Sequence, residues 1–240
     1  MVSTLDKLAM KLLPLANAIG NQRHLQAIRN GLISIFPLTI VGSFFTILLN
    51  LPIPGYTELV APYLQILDVP FRFTVGLMSL YASFTIGSFL GNTYKLDKIT
   101  SGFLSMLATL LMVVPVNLQE GVDALGDAVA SGRYIPIAPL GAQGLFGAIV
   151  GALISVEIYR FTKEKNLEIK MPDGVPPVVG ESFAALLPTL LVILVFWVPR
   201  HFWDFNLNDL LSLAISPLKV FLKGGELESG RNSWKNLLSK

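Results

Sequence analysis

From residue 179 to residue 199 the chain runs through one apolar block whose only charge is Glu181. Similar blocks recur at residues 28–49, 73–92, 99–118 and 140–159. A helix needs about 20 apolar residues to cross the ~30 Å hydrocarbon core of a bilayer, and it satisfies its own backbone N–H and C=O groups on the way. Charged residues make up 14% of the chain, against about 25% in an ordinary soluble domain. Lipid is therefore the solvent for most of these 240 residues. The expected fold class is an all-α polytopic membrane protein, with about five transmembrane helices and amphipathic interfacial helices at both ends.

The polar segments divide the chain. In residues 1–26, Leu5, Leu8, Leu12, Leu15 and Ile19 recur at three- or four-residue spacing. That spacing predicts an amphipathic helix, lying in the membrane interface or packed on the rest of the protein. Residues 27–200 form the five-helix transmembrane domain. Pro37 should kink the first span rather than end it. Residues 56–71 read as a loop with a short helix. The second and fourth spans are rich in small residues, among them Gly76, Ser79, Ala82, Ser83, Gly87 and Gly91, then Gly147, Ala148, Gly151 and Ala152. Small residues let membrane helices approach closely, so both helices are expected inside the bundle. Residues 134–140 have the character of a short strand or an edge. Residues 201–222 predict an amphipathic connector helix, and residues 223–240 a polar tail.

Lysine and arginine are unevenly spread. Lys7, Lys11, Arg23, Arg29, Lys95, Lys98, Arg160, Lys163, Lys165 and Lys170 fall on one side of the predicted spans, with only Arg72 and Arg133 in the loops on the other. The positive-inside rule then places the N-terminus and residues 160–178 in the cytoplasm, in a multi-pass protein of a plasma membrane.

The residues offer little chemistry. Cysteine is absent, so a disulfide framework and a thiolate metal site are excluded. His24 and His201 lie far apart without ligand spacing, and both read as surface or interface residues. Glu157 and Glu181 fall near predicted span ends, where a solvated or capping role is the plain reading. The net charge of +2 and the lack of a basic patch with interleaved aromatics give no support for nucleic-acid binding. No catalytic residue, substrate-binding residue, metal ligand or cofactor is assigned. Phe44, Phe45, Tyr81, Phe84, Phe89 and Phe103 offer faces for a sugar ring, but without polar partners at the same depth they read as packing.

One loop stands out. Lys170, Met171, Pro172, Asp173, Gly174, Val175, Pro176 and Pro177 precede Ser182-Phe183-Ala184-Ala185-Leu186-Leu187-Pro188. Asp-Gly is a turn signal, and the two adjacent prolines hold an extended entry into the next helix. In any polytopic protein this would serve as a rigid connector. The wording, together with Gly31-Leu32-Ile33-Ser34-Ile35-Phe36-Pro37-Leu38-Thr39-Ile40-Val41-Gly42-Ser43, resembles the sugar permeases of the bacterial phosphotransferase system, component IIC, of the cellobiose/lactose (chitobiose) type.

The resemblance covers residues 1–222 and only the N-terminal half of such permeases. It implies a permease that moves a β-linked disaccharide such as cellobiose, chitobiose or lactose into a bacterial cell. Phosphorylation would come from a B component, fed by an A component and phosphocarrier proteins, so phosphoryl transfer belongs to partners. A homodimer in membrane lipid is implied as well. Residues 170–177 become a candidate cytoplasmic coupling loop towards the B component. The family's sugar-contacting histidine and glutamate have no counterpart here, so sugar binding is expected only with the missing half. The polar tail after Lys223 suggests a permease ended by a frameshift or early stop. The other reading is a non-transporting membrane scaffold or dimerisation domain, or the inert product of a disrupted gene.

Overall fold

A computed structural model describes residues 13, 20–113, 115–122, 128–167 and 177–203. The expected amphipathic helices over 1–26 and 201–222, the tail over 223–240 and most of the 170–177 loop fall largely outside these residues.

The chain enters through α1 (Arg23–Ser34), where the Gln22 side chain accepts from the Leu25 N–H at 3.3 Å and caps the first turn. Pro37 has no N–H to give to Ile33, so the ladder breaks at Ile35 and α2 (Phe36–Leu49) leaves at 44° to α1. Residues 56–71, expected as a loop with one short helix, hold α3 (Tyr56–Val60), a 3-10 turn at Ala61–Tyr63 and α4 (Leu64–Phe73). Pro70 is accommodated inside α4, and its carbonyl accepts from the Thr74 hydroxyl at 2.6 Å. A second 3-10 turn, Val75–Leu77, leads into α5 (Met78–Thr93).

Helix α6 (Lys98–Leu111) starts where Asp97 Oδ1 accepts from the Thr100 N–H at 2.7 Å. The third span was expected to reach residue 118, but Pro115 cannot continue the helix. Beyond it the chain turns to β structure, with β1 (Val116–Leu118), β2 (Gly121–Val122), β3 (Ala128–Val129) and β4 (Gly132–Tyr134). β1 pairs antiparallel with β4 through Val116–Tyr134, Asn117–Arg133 and Leu118–Gly132, and β2 pairs with β3. The strand character expected over 134–140 thus falls slightly earlier, and Ala138–Leu140 is a 3-10 turn. Helix α7 (Leu145–Glu164) follows, then α8 (Pro177–Ala184) and α9 (Leu186–Trp203).

Among the described residues three helical stretches are long and apolar enough to cross a membrane, Ile66–Thr93, Ala142–Glu164 and Ser182–Phe202, and the bent α1–α2 pair makes a fourth if counted as one span. Helix α6 is apolar but has only 14 residues, or roughly 21 Å of rise.

The centre of the fold is α5, packed against α1, α6 and α7, with α9 laid across α6 and α7. Small residues make this possible. A Cβ on Gly87 would lie 2.7 Å from the Ser101 carbonyl oxygen, so α5 and α6 meet backbone to backbone. Gly151 faces Ala108 and Met112 across the α6–α7 contact, so the Gly147/Gly151 pair is used within the chain. Several hydroxyls inside the bundle have partners across helices. Ser105 Oγ and Ser155 Oγ are 3.0 Å apart, and the Thr85 hydroxyl donates to the Gly31 carbonyl at 2.9 Å. By contrast α2 packs mainly on α4, and both expose large apolar side chains, including Phe36, Ile40, Phe44, Ile66 and Phe73.

Candidate functional site

Polar chemistry collects at one end of the bundle, where α5 and α7 finish and α1 begins. Both helices stop in the same way. Lys95 (φ 59°) and Asn166 (φ 52°) take the left-handed conformation. The next N–H, of Leu96 or Leu167, reaches back to the carbonyl of Gly91 (2.9 Å) or Thr162 (2.8 Å). This is a Schellman closure, which satisfies terminal carbonyls without help from side chains.

Glu157, about one and two-thirds turns before Lys163 on α7, reaches into the gap between the three helices. Its Oε1 accepts from the Tyr94 hydroxyl at 2.5 Å and lies 3.0 Å from His24 Nε2. Its Oε2 accepts from Arg160 Nη1 at 3.4 Å, while Arg160 Nε donates to Glu164 Oε1 at 2.7 Å. The Arg160 guanidinium also lies 4.5 Å from the centroid of the Tyr94 ring, and the Arg23 guanidinium 6.0 Å from it. Gln22 Nε2 is 3.1 Å from His24 Nδ1. Burial, and then the hydrogen bond to the Glu157 carboxylate, raise the Tyr94 hydroxyl above the ordinary phenol range.

His24 reads from the sequence as a surface or interface residue and Glu157 as a solvated or capping one. Their side chains are in fact only 33% and 39% exposed, and they meet across 133 positions of sequence. No local pattern announces such a meeting. The cluster clamps three helix ends through contacts among imidazole, phenol and carboxylate. It presents no nucleophile–base pair with room for a reacting atom.

Two cavities flank the clamp. On one side a polar pocket of about 540 Å³ is lined by Arg23, Tyr94, Lys95, Leu96, Arg160 and Lys163, with Thr93 and Glu164. On the other an apolar groove of about 550 Å³ runs along α7 and α9 between Leu153, Ile154, Ile158, Phe161, Leu191 and Val195, with His24 and Glu157 at its head.

At the opposite end of the bundle Arg200 Nη1 donates to the Met112 carbonyl at 2.6 Å, tying the end of α9 to the end of α6. A third cavity, of about 450 Å³, opens there between Leu110, Pro115, Trp197 and His201. His201 stacks on Trp197 with the rings 5.4 Å apart.

The aromatic residues considered for a sugar ring do not line any of these three cavities. Phe84 meets Phe103 edge-on at 5.4 Å and Phe44 meets Phe45 at 6.0 Å, while Tyr81 donates to the Phe73 carbonyl. Of the candidate coupling loop, Pro177 opens α8 and residues 170–176 lie outside the described residues. Glu181 lies within α8. Among the described residues no three His, Asp or Glu side chains gather as a metal-ligand set.

Comparison with known proteins places this geometry in context. The profile of the family described as "Phosphotransferase system, EIIC" matches residues 29–227. The lichenan permease IIC component of Bacillus subtilis is 39% identical over 227 residues, which are 90% of this chain and 50% of that protein. The cellobiose-specific EIIC component of Geobacillus stearothermophilus is 41% identical, over 88% of this chain and 49% of the relative. The crystal structure of ChbC, the IIC component of an N,N'-diacetylchitobiose-specific phosphotransferase system, superimposes with a TM-score of 0.74 at 38% identity. That match covers 89% of this chain and 51% of ChbC. The chain thus spans about half the length of the relatives it matches.

Proposed function

The chain belongs to the phosphotransferase system EIIC family, and on that premise we propose that it supplies the N-terminal membrane half of a permease for β-linked disaccharides. The observation that carries this reading is the match across residues 29–227. The similar proteins are named for cellobiose, lichenan and diacetylchitobiose, which supports a β-linked substrate. Lactose-specific relatives in which C and B components share one chain support a B component as the phosphorylating partner. The protein works in a bacterial membrane as a homodimer. Residues 170–177 form the contact towards the B component on the cytoplasmic side. The cluster of Lys95, Arg160 and Lys163 at one end of the bundle supports a cytoplasmic position for that end.

A chimaera tests the transport reading. This chain should replace the corresponding segment of the cellobiose-specific relative and restore cellobiose uptake to cells lacking their own permease. A chimaera that reaches the membrane but moves no cellobiose overturns the proposal. The chain alone should not bind cellobiose, chitobiose or lactose with micromolar affinity. An unpaired buried hydroxyl costs about 1–3 kcal/mol, and the groove along α7 is carbon-lined except for His24 and Glu157, which already bond to each other. Isothermal calorimetry on the purified chain checks this. For orientation, a cysteine at Lys165 should be shielded from an impermeant thiol reagent in intact cells and one at Arg133 labelled; the reverse pattern inverts the topology.

A further inference from the structure

The basic pocket and the apolar groove lie on adjacent strips of α7. Arg160 and Lys163 line the first, Ile154, Ile158 and Phe161 the second. At their junction His24 and Arg23, neighbours in sequence, face one cavity each. We propose that the two cavities together form a binding site for one anionic phospholipid, with the headgroup phosphate in the pocket and an acyl chain in the groove.

Charge supports the headgroup half. The pocket is lined by four basic residues, Arg23, Lys95, Arg160 and Lys163, against the single carboxylate of Glu164. Glu157 faces the groove and draws on Arg160, and the cations remain in excess even when it is counted. The Schellman closures at Lys95 and Asn166 occupy terminal carbonyls of α5 and α7 with backbone N–H groups. Both the Arg23 and the Arg160 guanidinium groups lie over the Tyr94 ring.

Depth supports a lipid as the source of the phosphate. The two stretches that end here, Ile66–Thr93 and Ala142–Glu164, are both long and apolar enough to span, so the pocket lies at the level where their hydrocarbon-facing length stops. Basic pockets between membrane helices at that level suit anionic headgroups. The groove below is carbon-lined, and Phe161 at its upper end is 51% exposed, one residue from Arg160. A soluble phosphate would use the pocket and leave the groove without a role.

Native mass spectrometry of the full chain in detergent tests the site. Titration with dioleoyl-phosphatidylglycerol should give adducts at lower lipid concentration than dioleoyl-phosphatidylcholine. Lys95→Asn combined with Lys163→Gln should weaken phosphatidylglycerol binding about thirtyfold, as expected for two basic groups removed from an anionic contact. Asparagine is chosen because it accepts the left-handed backbone at position 95. Arg133→Gln, on the hairpin at the other end, should change nothing. If the double variant does not remain monodisperse, Lys163→Gln alone carries the comparison. Millimolar inorganic phosphate and glycerol phosphate should not displace the lipid. Equal affinity for the two lipids, unchanged binding by the variants, or displacement by inorganic phosphate would each overturn the proposal, the last by assigning the pocket to a soluble phosphate-bearing ligand.

Discussion

Helices α5 and α2 are both strongly apolar, yet they face opposite surroundings. Helix α5 buries Ser79, Ala82, Ser83, Gly87 and Gly91 among three neighbours, while α2 turns Phe36, Ile40, Phe44 and Ile47 outward. Apolarity does not separate them, because lipid tails are as apolar as leucine. Size does. Two backbones approach closely where side chains are small and interlock their hydroxyls, as Ser105 and Ser155 do at 3.0 Å. On α5 the small residues bring the neighbours close enough to enclose Ile86 and Leu90 as well, whereas the bulky branched and aromatic side chains of α2 are left at the surface. In a water-soluble protein the exposed phenylalanines would be the anomaly; in a bilayer they face their solvent.

The largest test of this contrast is Gly87→Val. The new side chain would meet the Ser101 carbonyl oxygen and the Ser105 side chain. The expected loss is roughly 3 kcal/mol, at the upper end of overpacking, read by thermal unfolding in detergent. An unchanged midpoint would show that α5 and α6 do not meet as closely as described.

Next comes the clamp at the helix ends. Glu157→Ala removes the acceptor shared by Tyr94, His24 and Arg160. Because the carboxylate is part-exposed, water compensates in part, and a loss of about 1.5 kcal/mol is expected. The accompanying signature is faster hydrogen exchange at the start of α1 relative to α6. Uniform exchange across both would make the cluster a surface ornament rather than a clamp.

Asp97→Ala should cost about 1 kcal/mol, the usual effect of deleting an N-cap, and this loss should depend on pH. Burial pushes the Asp97 carboxyl up, but it is outweighed by hydrogen bonds from the Thr100 side chain and backbone and from the Ile99 backbone, with Lys98 nearby, so its pKa lies below the ordinary value. A depressed carboxylate stabilises the fold above its unfolded pKa of roughly 4 and loses that contribution as pH falls through the lower folded value. The difference between the parent and Asp97→Ala should therefore shrink below about pH 4. A difference independent of pH would remove the carboxylate's charge from the account.

The smallest effect is expected at Phe44→Ala, on the outward face of α2. Phe44 is 56% exposed, so the change should stay within about 0.5 kcal/mol for the isolated chain. A loss above 1 kcal/mol in the same thermal assay would mean that this face packs on protein, and the contrast between α2 and α5 would need a second copy of the chain to explain it.

Much of the fold could be read from residues alone. The apolar blocks, the small residues of α5 and α7 and the basic side of the chain are local in sequence, and each residue's solvation preference acts at its own position. The family wording in Gly31-Leu32-Ile33-Ser34-Ile35-Phe36-Pro37 is equally local. Even so, a continuous apolar block concealed the break after α6. Val116 and Leu118 read as lipid-facing helix, whereas Pro115 ends the ladder and the chain pairs as β1 with β4.

Amino-acid order by itself determined that this is an all-α membrane protein and that the small-residue helices lie inside. Tertiary structure alone decided that His24, Tyr94, Glu157 and Arg160 share one junction and that a basic pocket opens beside a carbon-lined groove. Solvation is a property of each residue and survives in the order of the letters. Convergence depends on how far one helix is turned and slid against another, and the close approaches at Gly87 and Gly151 set that angle only once the helices are packed.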